Sequence, residues 1–251
     1  MPDPLKTRMA RGDTLVGTFV KTPAIEVVEV LARSTLDFLC LDAEHAPFDR
    51  GRMDACLAIA RAMGVPCLVR IPSGTPDRIL MALDSGATGV VVPHVDRVEK
   101  AQAIAKAAHF GHGGRGFAGS TRWAGFATRG MADILRQGAE ETVVIAQIEE
   151  PEGVEAADAI AAVDGIDGLF VGPADLAVSL GLSGPGDPGV IERMGTVGRA
   201  ARAAGKAFIT WSAGPANAQV LRDAGVTMVF GASEHAFMLA GANAMADGFR
   251  A

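Results

Sequence analysis

Two carboxylates carry the clearest chemistry in this chain. Glu149 closes the apolar run TVVIAQIE (142–149), and Asp175 follows the run GLFVG (168–172), so the pair lie 26 positions apart past successive candidate strands. Parallel neighbours stand about 4.8 Å apart, which lets both side chains reach one point. Two carboxylates with no cysteine or clustered histidine beside them suit a hard divalent cation that keeps open water positions, such as Mg2+ or Mn2+. The structural alternative for Asp175 is capping the helix that follows. A glycoside hydrolase would also use two carboxylates, but sugar sites draw on aromatic platforms, and aromatics are 5% of this chain.

Other polar residues gather at the ends of apolar runs. Asp42-Ala43-Glu44-His45 follows DFLCLD (37–42), Arg70 lies in PCLVRI (66–71), and Gln147 lies two residues before Glu149. His45 is the natural proton carrier, since only histidine titrates near neutrality unaided. Arg70 can hold a carboxylate or enolate oxygen in its planar donor fork, or pair with one of the neighbouring acids. Should a helix start near Ala174 in Gly172-Pro173-Ala174-Asp175, its free N–H groups can receive a carboxylate. An imine mechanism needs a desolvated lysine. Of the five lysines only Lys21 follows a strand at this rim, which favours metal over imine. Phe19, Lys21, Trp211, Ser212 and the 111–126 segment are expected to line the same rim.

These residues must be held by a regular frame. Eight apolar runs (14–20, 37–42, 66–71, 89–95, 142–149, 168–172, 206–212 and 226–232) alternate with segments of helical period, the last being EHAFMLAGANAMADGFR. Runs without polar alternation read as parallel strands buried on both faces. Several helical segments end in glycine, which permits a left-handed cap before the next strand. The pattern predicts an α/β fold, a (β/α)8 barrel in a single domain over 1–251, with its site at the carboxyl ends of the strands. A doubly wound sheet would carry GxGxxG after its first strand, and none is present. Residues 109–141 are too long and glycine-rich for a plain turn and read as a functional or interface insertion. Their GHGGRG follows a helix, which argues against a nucleotide loop.

A formal charge of −6 speaks against a nucleic-acid footprint. Cys40, Cys56 and Cys67 form no CxxC pair, and no apolar stretch is long enough for a membrane span. The expectation is a soluble cytoplasmic protein with reduced thiols and no membrane partner.

LDAEHAP (41–47), VRIP (69–72), VVPHV (91–95), QIEEPEGV (147–154) and GLFVGPADLAVSLG (168–181), taken together, resemble the HpcH/HpaI family of 4-hydroxy-2-oxoheptanedioate and 2-keto-3-deoxy sugar-acid aldolases. The resemblance implies a class II pyruvate aldolase with a divalent cation (Mg2+, Mn2+ or Co2+), no organic cofactor and a metal-bound enolate. Glu149 and Asp175 match the family's metal ligands, and Gln147, Gly172, Ala174 and Asp175 its substrate-binding positions. His45 matches the general base, Arg70 the transition-state stabiliser, and Asp84 the residue that raises the basicity of that histidine. The implied substrates are small 2-oxoacids, among them hydroxypyruvate, and aldehydes. The implied assembly is a homo-hexamer, a trimer of dimers with the terminal helix packed on a neighbouring subunit. Asp84 ends a helix, at the rim opposite the site, so it is either structural or serves another subunit. A citrate-lyase-type enzyme acting on an acyl-CoA ester, or a barrel that only binds a 2-oxoacid, are the alternatives.

Overall fold

The computed structural model describes residues 3–251. Eight parallel strands close into a barrel in chain order: β1 (Leu15–Val20), β2 (Phe38–Asp42), β3 (Cys67–Arg70), β4 (Gly89–Val92), β5 (Val143–Ile148), β6 (Gly168–Val171), β7 (Ala207–Ser212) and β8 (Met228–Ser233). All eight coincide with the predicted runs. The helices are α1 (Leu5–Arg11), α2 (Ile25–Leu31), α3 (Arg50–Met63), α4 (Pro76–Asp84), α5 (Val98–Ala108), α6 (Met131–Glu141), α7 (Pro151–Glu155), α8 (Ala157–Ala161), α9 (Pro173–Ser179), α10 (Pro188–Ala203), α11 (Ala218–Asp223) and α12 (Glu234–Arg250). Among the described residues no helix is long and apolar enough to cross a membrane.

Alternate strand residues face two separate cores, as a period of two requires. Leu39, Leu41, Val69, Val144, Ala146, Leu169 and Val171 face the helices. Phe19, Phe38, Cys40, Leu68, Ile145, Phe170, Ile209 and Phe230 fill the barrel interior. Phe170 stacks on Phe230 at 4.8 Å, and Phe19 packs against Phe230 at 5.0 Å. Gly17 makes room for this layer, because a Cβ there would lie 2.4 Å from the Phe38 ring. Leu5 and Met9 of α1 join the interior cluster and plug the amino-terminal mouth. The carboxyl-terminal mouth therefore opens over a phenylalanine floor.

Helix ends follow local chemistry. The Asp49 side chain caps α3 by accepting the Arg52 N–H at 2.8 Å, and Gly64 ends that helix in the left-handed conformation, φ +72°. The 109–141 insertion is partly a helix, since α6 begins at Met131. Its remaining loop joins the end of α5 to α6 and β5, which places it at the amino-terminal rim.

Candidate active site

The carboxyl ends of the strands surround a cavity of about 380 Å3 lined by Lys21, His45, Arg70, Gln147, Gly172, Ala174 and Asp175. Phe19 and Phe170 form its floor, and Trp211 forms part of its wall. Glu149 lies just beneath the surface, 3% exposed. Register explains the grouping: Gln147 pairs with Phe170 and Ile148 with Val171, so β5 and β6 end side by side. α9 then starts at Pro173, so Ala174 and Asp175 sit in its first turn, as the sequence predicts.

Gly172 is where the acidic groups converge. A Cβ built there would lie 3.3 Å from Glu149 Oε2, 3.4 Å from Gln147 Nε2 and 3.5 Å from Asp175 Oδ2. Gln147 Nε2 donates to Glu149 Oε2 at 2.5 Å, while Gln147 Oε1 is buried with no hydrogen-bond partner. Burial pushes the Glu149 pKa above its ordinary value, and the Asp175 charge adds to this against the Gln147 and His94 hydrogen bonds. Such a carboxylate gains from a cation. Among the described residues no group of three or more His, Cys, Asp or Glu side chains is arranged to hold a metal. The chain thus offers two hard oxygen ligands and a small cradle, which fits a Mg2+- or Mn2+-type ion completed by water or substrate.

Arg70 anchors the other side. Its Nε and Nη2 donate to Asp42 Oδ1 and Oδ2 at 3.0 and 2.7 Å, and Glu44 Oε2 lies 3.4 Å from Nε. The guanidinium sits 4.3 Å over the Phe19 ring, so it is fixed in plane as well as in distance. Arg70 is thus ion-paired and also lines the cavity. Burial alone would raise the Asp42 pKa, but Arg70, the His45 N–H and Lys21 together hold it below its ordinary value. A depressed carboxylate pKa stabilises the fold above the unfolded value and loses that contribution as pH falls through the folded one. Asp42→Asn is therefore expected to cost roughly 3 kcal/mol at neutral pH. The Tm gap to wild type should hold down to about pH 4 and narrow below it. A gap unchanged in more acidic buffer would contradict this role for Asp42.

His45 has a half-exposed side chain at the cavity, with Nε2 3.7 Å from Glu44 Oε2. Its backbone N–H donates to Asp42 Oδ1 at 3.2 Å, so one buried aspartate orders both His45 and Arg70. Among the described residues Lys21 is the only lysine lining the cavity, its Nζ 3.4 Å from Asp42 Oδ2.

Two expectations need correction. The 111–126 loop contributes nothing to the cavity of its own chain, because a helix-to-strand connection lies at the opposite rim. Arg122 there pairs with Asp54 at 2.7 Å. Ser212 turns its hydroxyl to Gly214 O and Asn217 Oδ1, both at 2.8 Å, and lines a neighbouring cleft instead. Asp84 ends α4 at the opposite rim, where its position in the sequence puts it, away from the His45 of its own chain. Its Oδ1 takes Arg115 Nη2 at 2.6 Å, and that arginine is buried between Phe110 and Trp123, 4.7 Å from each ring centre. Sequence reasoning left His94 without a role, although its position after β4 marks it as a rim residue. Burial opposes its cation, but the Glu150 hydrogen bond and the charges of Glu149, Glu150 and Glu44 raise its pKa.

The chain matches the HpcH/HpaI aldolase/citrate lyase family over residues 15–239. It is 32% identical to the hydroxypyruvate/pyruvate aldolase of Paraburkholderia phytofirmans over 245 residues, covering 94% of each chain. It is also 32% identical to the 5-keto-4-deoxy-D-glucarate aldolase of an Enterobacter species over 251 residues, covering 99% of this chain and 97% of the relative. A crystal structure of an HpcH/HpaI aldolase/citrate lyase family protein from Burkholderia cenocepacia superposes with a TM-score of 0.92 at 32% identity, over 98% of this chain and 99% of that one. The barrel, the order of its rim motifs and these likenesses converge: the chain belongs to the HpcH/HpaI aldolase/citrate lyase family.

Proposed function

We propose that this protein is a divalent-metal-dependent aldolase. It cleaves 4-hydroxy-2-oxoacids into pyruvate, or a related 2-oxoacid such as hydroxypyruvate, and an aldehyde, and it runs the reverse addition. The observation that carries the reading is the convergence of Glu149, Asp175 and Gln147 on Gly172, facing Arg70 and His45 across one cavity. The names of two relatives, a hydroxypyruvate/pyruvate aldolase and a 5-keto-4-deoxy-D-glucarate aldolase, support it.

Glu149 and Asp175 would hold the ion, which when bound supplies Lewis acidity to the 2-oxoacid. The chain's residues do the rest. The first-turn N–H groups of Ala174 and Asp175 have no intrahelical acceptor and receive the substrate carboxylate. Gln147 keeps a buried, unpaired amide oxygen towards the same point. Arg70, held by Asp42 and Phe19, screens the negative charge that develops on substrate oxygen as the C3–C4 bond breaks. His45 takes the proton of the 4-hydroxyl and returns a proton to the enolate carbon, directly or through water. The phenylalanine floor keeps bulk water from beneath the reacting atoms. Buried, unpaired Cys40, Cys56 and Cys67 support a reducing, cytoplasmic setting.

Pyruvate release from a 4-hydroxy-2-oxoacid, followed with a coupled reductase, tests the reading. Activity should vanish in EDTA and return with Mn2+. Activity that survives chelation and is trapped by borohydride would point to Lys21 and an imine instead.

The protein works as an assembly of copies, a hexamer built as a trimer of dimers. In α12 only Glu234 is buried, while Phe237, Leu239, Met245 and Phe249 are 43%, 64%, 69% and 91% exposed. The matching outer face of β1 and β8 is left open, with Val16 41% exposed beside a cleft of about 260 Å3 lined by Leu36, Leu221 and Val229. Phe237 of α12 reaches the edge of this cleft, and the apolar surface that the helix and the groove still expose is covered by a second copy. Asp84 then acts on the His45 of a neighbour. Mixed oligomers of inactive His45→Ala and inactive Asp84→Ala chains should regain part of the activity, and none would return if Asp84 is purely structural.

A further inference from the structure

β4 leads into Pro93-His94-Val95, and His94 adopts φ +57°. A residue with a β-carbon is costly there and persists only where its surroundings over-determine it. The contacts show what does so. The His94 N–H donates to Glu149 Oε1 at 2.8 Å, and ring Nδ1 lies 3.0 Å from the same oxygen and 2.7 Å from Glu150 Oε1. An ionised carboxylate has no hydrogen to give, so Nδ1 carries the proton and donates it to Glu150, while Glu149 Oε1 accepts the backbone N–H and stands at ion-pair distance from the ring. Lys100 Nζ donates to the His94 carbonyl at 2.9 Å and holds the turn from outside. On the far side Nε2 lies 4.0 Å from Glu44 Oε1.

The left-handed turn lets one residue bring both its N–H and its ring to one oxygen. Glu149 Oε1 is thereby pinned, and Oε2 is the atom turned towards Gly172 and Asp175. We propose that His94 is a positioning residue for the metal-binding carboxylate: it fixes Glu149 so that Oε2 is presented beside Asp175 to a divalent cation. The inference rests on the metal-dependent reading above.

The test is Mn2+ binding to the full chain, read from the free-ion electron paramagnetic resonance signal, with Tm measured on each variant. His94→Asn places an amide N–H at the Nδ1 position and tolerates the left-handed backbone. His94→Gly relieves the backbone and keeps the N–H but removes the ring. His94→Gln, whose amide reaches the Nε2 position, repeats the comparison with a longer side chain. Loss of a partner that orients a ligand costs about 10–100-fold in metal affinity, so the Gly and Gln variants should weaken by that factor and Asn by no more than about threefold. Wild-type affinity in His94→Gly, or equal losses in Asn and Gly, would overturn the assignment. A wild-type protein that binds no Mn2+ would overturn the metal reading itself, a result visible before any variant is made.

Discussion

Glu149→Ala and Asp175→Ala are each expected to lower kcat/KM by about a thousandfold or more, since one of the two proposed metal ligands disappears and several kcal/mol of charge stabilisation go with it. The effect separates from folding through Glu149→Gln. Glu149 is nearly fully buried and its pKa is raised by that burial, so its charged form is costly in metal-free protein. A neutral amide of the same shape should leave Tm in metal-free buffer equal or higher while activity is lost, and the Tm gain on adding Mn2+ should disappear. Near-normal turnover in either alanine variant, after chelation and re-metallation, would remove the ligand assignment.

Arg70→Lys carries the second large effect. A lysine keeps the charge but cannot reproduce the two-point contact with Asp42 or the flat packing over Phe19. Loss of a preoriented donor at a developing oxyanion costs about 10²–10³-fold in kcat, and that is the expected fall. Asp42 is fully buried, so Arg70→Ala should in addition destabilise the protein by roughly 3–5 kcal/mol through an unpaired charge. Unchanged kinetics in Arg70→Lys would leave Arg70 with the structural role alone.

The strands were legible because a parallel barrel strand is buried on both faces and reads as an unbroken apolar run. The site residues followed from position: Gln147, Glu149 and Asp175 sit where β5 and β6 end, and adjacency of consecutive strands brings them together. What the sequence hid was set by side-chain direction and by contacts distant in the chain. Ser212 differs from Trp211 by one step of strand alternation, which sends it to the cleft outside the barrel. His94 acquires its partners through a left-handed turn, a conformation that histidine enters more often than most residues but too rarely to be read from sequence. The pairing of Arg115 with Asp84 links positions 31 apart across the amino-terminal rim. Helix α6 was masked by the glycine-rich loop before it, and its apolar face is short.

The joining of two carboxylates around one cation is the claim on which the rest depends. Anomalous diffraction from a crystal of the protein soaked with Mn2+ and pyruvate tests it most directly. A single strong manganese peak is expected beside Gly172, within coordination distance of Glu149 Oε2 and an Asp175 oxygen. A peak elsewhere, or clear pyruvate density in the cavity with no manganese between those two side chains, would contradict it.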